Sequence, residues 1–162
     1  MFRNQKRWAW AAFAAYALGM LWLLFGQRVG HEAGGLNLKV FDTLRRFWWV
    51  LAHSSQPEML RHAVINLVGN VVMFVPLGFF ACWLWRKPNQ FGWHFLAMLL
   101  TILGVELLQL LTGLGTCDVD DLILNLVGTT IGFGLFKLCK HMFRRGADVN
   151  PIVDMACFVV CL

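Results

Sequence analysis

Charge is scarce in this chain. Only 14% of its 162 residues are Asp, Glu, Lys or Arg, while 59% are apolar. An ordinary soluble domain carries about 25% charged residues, and one this small has too little interior to hide so much apolar surface. A water-soluble globular fold is therefore excluded, and the lipid bilayer becomes the first expected partner. Tyrosine is almost absent, with one residue against eight Trp and fourteen Phe, a balance that suits lipid contact and interfacial anchoring. The five cysteines form no CxxC and meet no histidine at zinc spacing. Neither a disulfide framework nor a zinc site is supported, and the thiols read as packing groups. Oxygen ligands for Mg²⁺ or Ca²⁺ would have to come from Asp118, Asp120 and Asp121, which lack the calcium-loop pattern, so no metal is expected. Nothing calls for a cofactor. Repeats and low-complexity tracts are missing too. The net charge of +5 raises nucleic acid as a partner, but the basic residues lie between apolar runs, where topology explains them better.

Four apolar runs are present: Trp8 to Phe25, His62 to Trp85, Phe91 to Leu111 and Leu122 to Cys139. At about 1.5 Å per residue each is long enough to cross a bilayer as a helix. The first has the charged start of a signal peptide, but it is longer than the usual ~7–15 residues. It also ends on the bulky stretch Leu21 to Phe25, so a retained helix is expected. Pro76 and Gly78 predict a kink or wide turn in the second run. Between the first two runs, Leu36 to Ala52 carries Val40, Leu44, Phe47, Trp48 and Leu51 at spacings of three or four. That pattern fits an interfacial amphipathic helix or a segment packed over the bundle, and both readings stand. Ser54 to Pro57 reads as a turn.

The fold class expected is an all-α membrane protein, a bundle of four transmembrane helices with that surface helix in the first external loop. Residues 1–140 form the membrane domain, and 141–162 form a cytoplasmic or interfacial tail. Lys and Arg cluster in the N-terminal tail, at Arg86–Lys87 and from Lys137 to Arg145, and none lies between Thr112 and Asp121. This alternation predicts a multi-pass protein of the cell (inner) membrane with both termini cytoplasmic. Arg28, Lys39, Arg45, Arg46 and Arg61 run against it, since they fall outside.

The polar residues within the apolar runs carry the functional signal. Glu106 lies fifteen residues after Phe91, roughly 22 Å along a helix, in the outer third of the membrane. Gln109 follows at i+3 on the same face. His62, Asn66 and Asn70 stack at four-residue spacing. Asp118, Asp120 and Asp121 open the last run, with Asn125 one turn deeper. These groups therefore meet at one depth from three helices. Gly69, Gly128 and Gly132 sit on the same faces, where small residues let helices approach closely. Plainer roles stand beside this one: Asp118 as a helix cap with Asp121 completing a capping box, Asp120 facing water, the asparagines as interhelical glue, and His62 as an interfacial residue. Glu106 is hardest to explain away, because a mid-helix acid costs about 2.5–3.5 kcal/mol to insert.

At these residues the chain resembles the VanZ-like family of bacterial membrane proteins. The matching pieces are Asn66-Leu67-Val68-Gly69-Asn70 with Phe74-Val75-Pro76-Leu77-Gly78, then Glu106-Leu107-Leu108-Gln109, then Asp118 to Asn125 with Gly128 and Gly132. Order and spacing agree over about residues 60–136. Family members often carry an arginine just before the aspartates, where Gly115-Thr116-Cys117 stands here. The resemblance implies an inner-membrane protein of the cell envelope, in a family named for a protein linked to teicoplanin resistance. It implies no settled reaction.

Three functions fit. One is an envelope protein whose outward polar pocket, lined by Asn66, Asn70, Glu106, Gln109, Asp118, Asp121 and Asn125, binds a cell-wall precursor or envelope lipid. The alternative is an enzyme on such a molecule with Glu106 as the candidate catalytic acid or base. The third is a carrier, which four spans would support only as an oligomer.

Overall fold

The computed structural model describes residues 2–26, 35–54, 56–84, 90–115 and 117–144. Its elements in order are helix α1 (Phe2–Phe25), strand β1 (Leu36–Asn37), helices α2 (Asp42–His53), α3 (Pro57–Leu84) and α4 (Phe91–Thr112), strand β2 (Cys117–Asp118) and helix α5 (Val119–Arg144). Three helices are long and apolar enough to cross a membrane, over Pro57–Trp83, Phe91–Thr112 and Val119–Met142. On α1 the apolar stretch is shorter, Trp10–Phe25. The basic turn at Arg86–Lys87, Arg145 and the tail with Cys157 and Cys161 lie outside the described residues.

The chain is not wholly helical. Periodicity suggested a helix from Leu36, but α2 begins only at Asp42. Leu36 and Asn37 instead pair in parallel with Cys117 and Asp118. The pairing is short, yet it ties the loop after α1 to the loop after α4 and brings both to one end of the molecule.

The core forms where α3 meets α5. A Cβ on Gly128 would collide with the Val71 carbonyl, one on Gly132 with the Val75 carbonyl, and one on Gly78 with the Thr129 carbonyl. Both helices thus use glycine where backbone faces backbone. The pairs advance together along both helices, so α3 and α5 run parallel. Gly78 is a packing residue, not the turn that sequence suggested. Helix α3 continues through Pro76 without a break, and Pro76 is buried. Neighbouring helices make such a proline tolerable in a membrane segment. Gly69, expected at the contact, has open space around it.

Around this pair the core divides in two. Phe74, Leu77, Met98 and Ile102 pack with Met20 and Leu24 of α1. Phe79, Cys82, Phe133, Phe136 and Cys139 form a second cluster toward the other end. Helix α1 runs antiparallel to α3: the ring of Phe13 packs on Phe80, and the Tyr16 hydroxyl donates to the Met73 carbonyl at 2.6 Å. Many large apolar side chains remain exposed, among them Leu100, Leu107 and Leu111 on α4 and Trp8 and Trp22 on α1. Lipid is the solvent that accounts for them.

Replacing Gly128 or Gly132 by Ala should lower stability by about 1–3 kcal/mol through overpacking, read as a lower thermal-aggregation midpoint in detergent. Gly69→Ala and Gly104→Ala, where a methyl group meets open space, should leave it unchanged.

Candidate functional site

The ends of α1, α3, α4 and α5 on the α2 side carry a knot of polar groups. Its centre is the start of α5. Asp118 stands just before the first helical residue, and its Oδ1 accepts the Asp120 N–H at 2.8 Å. This is an N-cap, satisfying one of the donors a helix leaves free at its start. A capping box would pair the Asp118 N–H with Asp121. Instead Asp118 donates that N–H to Glu106 Oε2 on α4, at a long 3.4 Å. Glu106, 4% exposed, takes from a neighbouring helix the part a box residue plays within one. Asp121 is thereby available to α3, where Asn70 donates to it at 2.5 Å.

Asp120 overturns an expectation. It does not face water but is 4% exposed. Its Oδ1 accepts the Phe41 N–H at 2.6 Å and its Oδ2 the Thr43 N–H at 2.7 Å. A carboxylate on α5 thus caps α2, whose own N-cap residue Phe41 makes no side-chain cap bond. Phe41 sits at φ 64°, ψ 19°, a left-handed conformation unusual for a bulky residue. The two charge-assisted bonds to Asp120 hold it there. Asn37 adds a third tie, donating to Asp118 Oδ2 at 2.8 Å.

Gln109 is 2% exposed and donates to the Leu24 carbonyl at 3.1 Å, binding α4 to the last turn of α1. Asn125 is 3% exposed, and its Oδ1 has no hydrogen-bond partner among the described residues. Helical side chains tilt toward the helix N-terminus, so this amide leans toward Asp121 and the acidic cap. Asn66 and His62 are both exposed.

The structure therefore joins Asn70 to Asp121 and Glu106 to Asp118, ties Gln109 to α1 and buries Asn125. Sequence reasoning missed Asn37, Asp120 as a cap, and the backbone of residues 41–43. Only the Asp-x-Asp-Asp spacing hinted at a surplus of acceptors.

Cys117 lies beside these acids. Burial, then the nearby Glu106 and Asp118 carboxylates, push its thiol above the ordinary range. Among the described residues no group of three or more His, Cys, Asp or Glu is arranged to hold a metal ion.

These features define a class: a helical protein whose described residues include three helices long and apolar enough to cross a membrane, with an acid-centred knot at one end. Residues 10–140 match the VanZ/LLP1 family model, and the chain belongs to that family. Protein VanZ of Enterococcus faecium is 30% identical to it over 86 residues, covering 51% of this chain and 52% of that protein. The match thus spans about half the length of the curated relative. No solved structure matches.

Two outcomes test this geometry. Asp120→Ala should cost about 1–2 kcal/mol, the range for losing a helix cap, and should speed hydrogen exchange at Phe41 and Thr43 while sparing the middle of α3. Alkylation of Cys117 should require a pH above that of an ordinary thiol, because a raised pKa leaves less reactive thiolate at any given pH. Glu106→Gln removes one of the negative neighbours and should shift the alkylation profile to lower pH.

Proposed function

We infer that this protein is a cell-envelope membrane protein that binds the polar part of a wall precursor or lipid-linked molecule at the acid-centred knot, and that it influences susceptibility to teicoplanin-type glycopeptides. One observation carries the reading. A carboxylate, Glu106, and an amide with an unpartnered acceptor, Asn125, are both buried at the knot end of apolar helices. Burying such groups costs free energy that packing alone does not return. A ligand hydroxyl, amine or amide N–H reaching Asn125 Oδ1 would supply the missing donor. Family membership supports the envelope setting, and the antibiotic class is what the resemblance to a family named for a teicoplanin-resistance protein implies.

In this reading residues 1–140 form one membrane domain in which α1 crosses together with α3, α4 and α5. The knot faces outward and both termini are cytoplasmic in the inner membrane. Asn70, Gln109, Asp118 and Asp121 position the binding groups, with Asn66 at the rim. The second reading is an enzyme on such a molecule, with Glu106 as its acid or base.

Expression in a glycopeptide-sensitive bacterium should raise the tolerated teicoplanin concentration. Glu106→Gln and Asn125→Leu should each abolish that rise while inserting and melting like the parent. Parental tolerance in both variants would remove the reading.

A further inference from the structure

Helix α2 has no buried residue, although it is firmly held. Asp120 caps its start and the β1–β2 pairing fixes the segment before it. Its C-terminus leads within a few residues into α3, one of the membrane-crossing helices. A helix fixed beside the entry point of a membrane span lies at the level of the lipid headgroups. Arg45, Trp48, Trp49 and Ala52 stand at i, i+3, i+4 and i+7 and share one face. Trp48 is 63% exposed and Trp49 58% exposed, and Arg45 between them is exposed as well. Leu38, Val40 and Phe41 extend the apolar surface at the start of the helix. Arg46 is held by Asp42 at 2.7 Å, whereas Arg45 and Lys39 have no acidic partner among the described ion pairs.

We propose that α2 is a headgroup-reading anchor: Trp48 and Trp49 insert into the adjacent leaflet, and Arg45 between them binds the phosphates of anionic lipids. Indoles favour the headgroup level because the ring is apolar and its N–H is polar. Guanidinium groups grip phosphate in a bidentate way. Water as the sole neighbour would leave two tryptophans, Leu51 and the preceding loop exposed together, a patch soluble surfaces avoid. The occupant is lipid, because the helix that follows enters the membrane directly. This inference stands whether or not the knot binds a wall precursor.

The test uses the full chain in liposomes, with the double variant Trp48→Phe/Trp49→Phe as reference. The emission that the double variant lacks should be quenched by lipids brominated near the headgroup, and not by aqueous iodide. Quenching of that component by iodide alone would overturn the anchor. In the parent, brominated phosphatidylglycerol should quench it in preference to brominated phosphatidylcholine. Arg45→Gln should reduce that preference about fivefold, the loss expected for one cation near an anionic surface. An unchanged preference in Arg45→Gln would overturn the headgroup reading. Helical content by circular dichroism confirms that each variant is folded.

Discussion

Direct backbone contact between α3 and α5 is the constraint on which the rest depends. Glycine at 78, 128 and 132 removes the side chains that would otherwise hold the two helices apart. In a bilayer this matters more than in water, because lipid supplies no hydrophobic force between helices and close packing must provide the attraction. The consequence reaches past the contact itself. With backbones this close, two short side chains, those of Asn70 and Asp121, can bridge the helices at the open end. A wider separation would need longer residues and would cost the order that short ones keep.

The knot at that end follows from how a helix starts. The first turn of α5 exposes donors that must be satisfied, and Asp118 and Glu106 satisfy them from two directions. Asp120, on the same turn, then serves another helix. Donors and acceptors are mostly matched within the knot through backbone N–H groups and amides. Backbone N–H groups and amides are thus among the partners that let four acids gather here. Asn125 Oδ1 is the place where this matching stops, which is why the functional reading rests there.

The long helices were legible in the sequence because their signal is local. An apolar run of twenty or so residues has few alternatives in lipid, and α4 was read to within one residue at its end. The start of α2 was not legible. Its register depends on Asp118 and Asp120, about eighty residues further along the chain, and periodicity carries no information about so distant a partner. The packing role of Gly78 was not legible, because its contact is with the Thr129 carbonyl about fifty residues further along the chain.

The docking of α2 also bears on a conflict in the charge pattern. Lys39, Arg45, Arg46 and Arg61 belong to the same end as the acidic segment, because Asp120 and the β1–β2 pairing bring them there. Their location therefore follows from hydrogen bonds made in the folded protein, and a loop of this length falls within the range that the positive-inside rule counts, so the conflict in the charge pattern stands. Arg46 and Arg61 are also partly neutralised by Asp42 and Glu58 next to them. At the opposite end Lys137, Lys140 and Arg144 fall in the last two turns of α5, where the helix dipole favours cations and no acid on α5 offsets them. At the knot end Arg46 and Arg61 are paired while Lys39 and Arg45 are not among the described ion pairs, whereas the far end gathers its cations at one helix terminus, so the two ends of the fold differ in how their positive charge is held.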